Sequence, residues 1–166
     1  MLVLGIDPGT ATTGYALVAE DAEGEVRLDR YGVFETRAGE PMPARLQSIH
    51  AGLSALIRET VPEAMAVEEL FFSRNTTTAL SVGQARGVVL LAAAQAGLPV
   101  YEYKPAEVKQ ALVGYGGASK AQIQEMERMM LGLAEAPRPD DAADAIAVAI
   151  CHLHGQRLRR LIAAEQ

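Results

Sequence analysis

A single cysteine, Cys151, is all this 166-residue chain contains. That excludes an internal disulfide and any metal cluster built on cysteine. Long apolar runs are missing as well. The longest, such as Gly87–Ala94, is too short to span a bilayer. No basic leader precedes an apolar segment at the N-terminus, so no signal peptide is expected. There is no low-complexity tract, internal repeat or linker, and an excess of positive charge is absent too. The net charge of −6 counts mildly against non-specific binding to nucleic acid, because phosphate contacts need lysine and arginine. It does not exclude a nuclease. Such an enzyme concentrates acids around divalent metals, and a local basic surface is compatible with an acidic total. What is present is an apolar content of 49 %, enough for a full hydrophobic core. The expectation is a soluble, cytoplasmic protein forming one domain over residues 1–166, with a C-terminal helix end fraying from about residue 155.

Two hairpins open the chain. Leu2–Ile6 reads as a buried strand. Gly14–Glu20 and Val26–Thr36 follow it, joined by the polar turn Asp21–Glu25. Leu46, Ile49, Leu53, Leu56 and Ile57 recur every three or four residues, which predicts an amphipathic helix ending at Pro62. Ala64–Leu70 is a fourth strand. Ser73, Asn75 and Thr76 are candidate caps for a helix reaching about Ala96, with Gly97 behind it. Leu98–Tyr103 is a fifth strand. A helix follows from Pro105, with Val108, Ala111 and Leu112 inward. Ser119 caps another that carries Ile123, Met126, Met130 and Leu133. A last long helix runs from Asp140. The order β-β-β-α-β-α-β-α-α-α predicts an α/β fold: a mixed five-stranded sheet with helices on both faces.

Acids gather at the ends of these elements. Asp7 closes the first strand, Glu68 and Glu69 close the fourth, and Asp140, Asp141 and Asp144 open the last helix. Glu68 and Glu69 point to opposite faces of a sheet, so only one can join Asp7. Asp144 can share a helix face with either Asp140 or Asp141, and geometry alone does not choose. Four carboxylates held close repel unless cations sit between them. Oxygen-only ligation suits Mg²⁺ or Mn²⁺. Two such ions about 4 Å apart clamp a phosphodiester, one activating water and one stabilising the leaving oxygen. The plainer reading is that Asp140 after Pro139 caps the helix and Asp141 complements its dipole. That reading is weakest at Asp7, since an Asp-Pro-Gly-Thr turn does not need an acid there.

"GIDPG…TGYAL", "AVEELFFSRN", "GQARGVV", "VKQALVG…SK" and "DAADAIAVAI" occur in this order across the chain. As a set they closely resemble the RuvC family of Holliday-junction resolvases, from about Leu2 to His154. The resemblance implies a ribonuclease H-like fold and a homodimer. It also implies paired, Mg²⁺-dependent nicks in strands of like polarity at four-way DNA junctions, leaving 5′-phosphate and 3′-hydroxyl ends, during recombination and repair. Two Mg²⁺ per site are implied, with Mn²⁺ as a substitute, and the RuvA–RuvB branch-migration complex as a partner. The family's four catalytic, metal-binding carboxylates fall on Asp7, Glu68, Asp141 and Asp144, which would select Glu68 over Glu69 and Asp141 over Asp140. Asp140 is an additional acid beside the motif and a candidate competitor for metal or water. Phe71, Arg74, Lys109 and Lys120 fall on DNA-contacting positions, with Phe71 set to stack on a base. Against them stands ordinary core packing for Phe71 and solvated surface charge for the basic residues.

Residues 79–96 are broadly small and apolar, a candidate dimer face or else intramolecular core. His152 and His154 lie two apart on a helix and point away from each other, so neither is assigned a role. Cys151 reads as buried packing. Three rival readings compete with a resolvase. An actin-like ATPase shares the apolar-Asp-x-Gly-Thr hairpin but needs two such domains and has no counterpart of the "DAAD" helix. A non-catalytic or partner-dependent junction binder would not need four converging acids. A nuclease of RNA–DNA hybrids differs only in substrate, and the residues near Phe71 argue against it.

Overall fold

The computed structural model describes residues 1–69 and 76–164. Its elements are β1 (Leu2–Asp7), β2 (Thr12–Glu20), β3 (Val26–Glu35), α1 (Met42–Thr60), β4 (Ala64–Glu68), α2 (Thr76–Gln95), β5 (Val100–Tyr103), α3 (Pro105–Val113), α4 (Lys120–Met130) and α5 (Asp140–Ala164). This is the predicted order. The five strands form one mixed sheet, β3-β2-β1-β4-β5. The two hairpins make its antiparallel half, and β4 and β5 add in parallel after helical crossovers.

Alternation along the strands divides the core in two. Leu4, Ile6, Leu17, Met65 and Val67 face α1 and α2, where Leu53, Ile57, Val89 and Ala93 close over them. Val3, Ala16, Val18 and Ala66 face α5, with α3 and α4 packed outside it through Val108, Leu112 and Ile123. The helix α5 is therefore central, and from Ala142 to Leu153 almost every residue is buried. Small residues let it lie close. An added Cβ on Gly5 would stand 2.0 Å from the Ala145 carbonyl oxygen, and one on Gly14 would stand 1.9 Å from that of Asp141.

Several boundaries differ from expectation: β2 opens at Thr12 rather than Gly14, β3 closes at Glu35 rather than Thr36, and three others lie in β5, α4 and β1. The strand β5 starts at Val100 because Leu98 is drawn into the turn closing α2, its N–H bonded to the Ala93 carbonyl at 2.9 Å. Leu133 lies past the end of α4, which stops at Met130; Gly132 takes the left-handed conformation, φ +61°, and turns the chain. The strand β1 continues one residue further than Ile6, so Asp7 is itself part of the sheet. Leu70, together with the cap candidates Ser73 and Asn75, lies outside the described residues, and the described part of β4 ends at Glu68.

Candidate active site

Asp7 is the last residue of the central strand. Beyond it, Pro8 and Gly9 take the chain into the β1–β2 hairpin, where an added Cβ on Gly9 would press within 2.3 Å of the Thr12 carbonyl oxygen. The Thr13 hydroxyl donates to the Gly9 carbonyl at 2.6 Å, and that of Thr36 to Thr10 at 2.5 Å, tying the hairpin to the sheet. Across the sheet, β1 and β4 run parallel with Ile6 opposite Val67. The next step brings Glu68 beside Asp7 on the α5 face, while Glu69 has the parity of the buried Val67 on the other face.

The remaining acids come from α5. Its first turn sits directly on Gly14, the cross-strand partner of Asp7, because that residue has no side chain. Asp141 and Asp144 thereby reach the same end of the sheet. Burial, then the negative charges of Asp144, Glu68 and Asp141, push the Asp7 carboxyl up to about 7, and Lys120 pulls it partly back. Burial and Asp144 raise Glu68, which Lys120 and Lys109 moderate.

Lysine supplies the countercharge. Lys120 is the first residue of α4, set there by a reciprocal cap. The Ser119 N–H donates to Gln122 Oε1 at 2.9 Å, and the Gln122 N–H donates to Ser119 Oγ at 3.4 Å. The Lys120 ammonium donates to Asp144 Oδ2 at 2.9 Å and lies 3.3 Å from Asp140 Oδ2. Asp140 also accepts from Gln124 Nε2 at 3.0 Å. Lys109, on α3, borders the same cleft of about 210 Å³, whose other charged walls are Glu68, Lys120 and Asp144 and whose floor is apolar.

Comparison with known proteins shows the family of the chain. The family model described as "Crossover junction endodeoxyribonuclease RuvC" matches residues 3–152. The chain belongs to the RuvC family. A relative of the same description from Chloroflexus aggregans is 61 % identical over 154 residues, covering 93 % of each chain. Two solved structures superimpose closely. One is described as Thermus thermophilus RuvC, with a TM-score of 0.89 and 45 % identity over 96 % of this chain and 97 % of that one. The other is T. thermophilus RuvC in complex with Holliday junction substrate, with a TM-score of 0.88 and 43 % identity over 95 % and 96 %. The ribonuclease H-like architecture expected from the sequence is thus the one observed.

Of the RuvC site residues expected from the sequence, Asp7, Glu68, Asp141, Asp144, Lys109 and Lys120 come together at one end of the sheet. Phe71 and Arg74 lie outside the described residues. The donor chemistry fits a hard divalent cation: carboxylate oxygens only, mutually repelling, around one ammonium. Among the described residues no three His, Cys, Asp or Glu side chains are placed so as to hold a metal ion as they stand. The cation standing among these acids is Lys120. His152 and His154 are engaged elsewhere, His152 Nδ1 with the Tyr103 hydroxyl at 2.7 Å and His154 Nδ1 with the Ala111 carbonyl at 3.3 Å. Cys151 is buried, as expected.

One acid escapes a reading of the sequence. Glu127 sits in a helix recognised through Ile123 and Met126, yet it is fully buried, and neither carboxylate oxygen has a hydrogen-bond partner among the described residues. Burial, with Asp144 adding to it, pushes its carboxyl up to about 8. The signal is there: Glu127 is four residues from Ile123 and shares its inward face. A carboxyl raised in the folded state retains a proton that the unfolded chain has lost. Stability must therefore fall as pH rises from about 4.5 to about 8. Glu127→Gln is expected to flatten that fall, raising the melting temperature at pH 8 and leaving it nearly unchanged at pH 4. Calorimetry in EDTA across this range checks it, and an unaltered slope would refute the assignment.

Proposed function

We propose that this chain, acting as one nuclease domain, resolves four-way DNA junctions by metal-dependent hydrolysis of phosphodiesters, with paired nicks in strands of like polarity. The observation that carries the reading is the convergence of Asp7, Glu68, Asp141 and Asp144 around a lysine at one end of the sheet, in a member of the RuvC family. The four acids are the proposed catalytic and metal-holding residues, with Mg²⁺ as the cation and Mn²⁺ able to replace it. When bound, a pair of such ions supplies an activated water and stabilises the leaving oxygen.

The chain's own residues do the rest. Asp7 and Glu68 project from paired strands, which fixes their separation. Asp141 and Asp144 project from a helix seated on Gly14, so both halves of the donor set are rigid. Lys109 and Lys120 set positive charge beside the cleft, where a phosphodiester is drawn in and oriented. Phe71 and Arg74 are proposed DNA contacts by family resemblance. The helix α2 buries Ala85, Val89, Ala92 and Ala93 and exposes Leu80 and Leu91, leaving an apolar outer side suited to a homodimer. Two sites related by a two-fold axis would match the symmetry of the junction and give paired nicks. The RuvA–RuvB complex is the proposed cellular partner. Among the described residues no helix is long and apolar enough to cross a membrane, consistent with the proposed action in the cytoplasm.

The test is incubation of the purified protein with a synthetic four-way junction in Mg²⁺, in Mn²⁺ and in EDTA. Symmetric nicks that require metal and can be sealed by ligase are expected. Tight binding with no cleavage under either metal would replace the reading with that of a junction-binding protein.

A further inference from the structure

Lys120 is held by two carboxylates of different standing. Asp144 belongs to the proposed metal-holding set. Asp140 stands beside that set, one oxygen facing Lys120 Nζ at 3.3 Å and the other accepting from Gln124 at 3.0 Å. A divalent cation entering the cluster competes with the Lys120 ammonium for Asp144, because the two positive charges repel at such close range. A four-carbon side chain freed from its only partner would swing into solvent. Asp140 removes that outcome. Its carboxylate is braced by Gln124 from one turn further along the helix that carries Lys120, so the second ion pair survives when the first is broken.

We propose that Asp140 is a positioning residue: braced by Gln124, it keeps the Lys120 ammonium at the rim of the carboxylate cluster when a divalent cation takes Asp144. Asp140 is then neither a competing ligand nor a simple helix cap. Its effect on metal uptake passes through Lys120. With Asp140 present, the cation displaces a lysine that keeps a partner. Without it, the cation must strip Lys120 of its last one. The inference rests on the metal-dependent reading above.

The test is a double-mutant cycle on metal binding, read by calorimetric titration of Mn²⁺ in the absence of DNA, with junction nicking measured beside it. Asp140→Asn is expected to weaken Mn²⁺ binding severalfold and to lower the nicking rate at saturating metal about tenfold, with junction affinity held. Gln124→Ala should shift both in the same direction without changing any charge. Lys120→Met should tighten Mn²⁺ binding, since it removes the competing cation. In that background Asp140→Asn should change Mn²⁺ binding little, because coupled residues are not additive. An equal weakening in both backgrounds would mean that Asp140 acts only through its field, and the proposal would fall. So it would if Asp140→Asn matched the unaltered protein while the latter bound metal and nicked junctions. An unaltered protein that takes up no Mn²⁺ sinks this inference together with the functional reading beneath it. Melting temperatures should stay unchanged in Asp140→Asn, because exposed ion pairs contribute little to stability.

Discussion

Asp7→Asn is expected to abolish nicking, keep junction binding, and make the metal-free protein more stable at neutral and alkaline pH. The loss of activity follows from position. Asp7 ends the central strand, and Glu68, Asp141 and Asp144 are all arranged about it. Changing groups one layer out from a metal typically costs 10–100-fold, so losing a direct ligand should cost more than about 100-fold. The gain in stability has the opposite origin. Burial and three neighbouring acids raise the Asp7 carboxyl to about 7 from an ordinary 3.8. The unfolded chain gives up this proton near pH 4 while the folded chain holds it to about pH 7, so folding is penalised increasingly across that window. The penalty persists above it, and every tenfold difference in proton affinity between the folded and unfolded chain is worth about 1.4 kcal/mol. Asparagine, neutral at every pH, removes it. Melting curves in EDTA at pH 4 and pH 8, with gel-shift and cleavage assays on a four-way junction, check all three parts. A loss of binding as large as the loss of activity would mean that Asp7 holds DNA rather than metal. A variant no more stable at pH 8 than the unaltered protein would mean that the acids do not repel as their arrangement requires.

This opposition between stability and chemistry explains what can be read from sequence and what cannot. Strand alternation is enough to place Asp7 at the end of a buried strand and to show that Glu68 and Glu69 serve opposite faces. Which of them joins Asp7 depends on β1 pairing in parallel with β4 some sixty residues later, with Val3 opposite Ala64. No local pattern encodes such a register, and it is the family resemblance that chooses Glu68. The choice between Asp140 and Asp141 is open for a similar reason. Both can share a helix face with Asp144; in the structure it is Asp141 whose charge acts on Asp7, while Asp140 pairs with Lys120 and Gln124 from α4. Glu127 goes unnoticed because an acid on a helix is usually exposed. The central place of α5 has a clearer local trace in "DAADAIAVAI", whose alanines allow close approach. The glycines that receive the helix are far away in sequence, at positions 5 and 14, where they read as parts of a hairpin.

Gly14 gives the second large expected effect. Gly14→Ala should destabilise the fold and, under conditions where the variant is still folded, lower nicking about 100-fold with little change in junction affinity. An added Cβ would lie 1.9 Å from the Asp141 carbonyl oxygen, 2.3 Å from its carbon and 3.0 Å from the Ala142 nitrogen. All three are backbone atoms, so no side chain can rotate out of the way. Nor can the strand yield easily, since Gly14 is paired with Asp7 on one side and Val33 on the other. The helix must lift at its first turn, against a body anchored by Ala145, Ile146, Ala149 and Ile150. Overpacking of this kind costs about 1–3 kcal/mol, sometimes more. The lift also carries Asp141 away from Asp7, and a displacement of about 1 Å at a reacting centre costs on the order of 100-fold in rate. Gly39→Ala is the control, because nothing lies within 4 Å of a Cβ added there. Thermal melts and single-turnover cleavage of both variants, at a temperature where each is folded, separate the two effects. If Gly14→Ala melts and cleaves like Gly39→Ala, then α5 does not rest on the sheet at this point, and Asp141 must be held in place by something other than the missing side chain of Gly14.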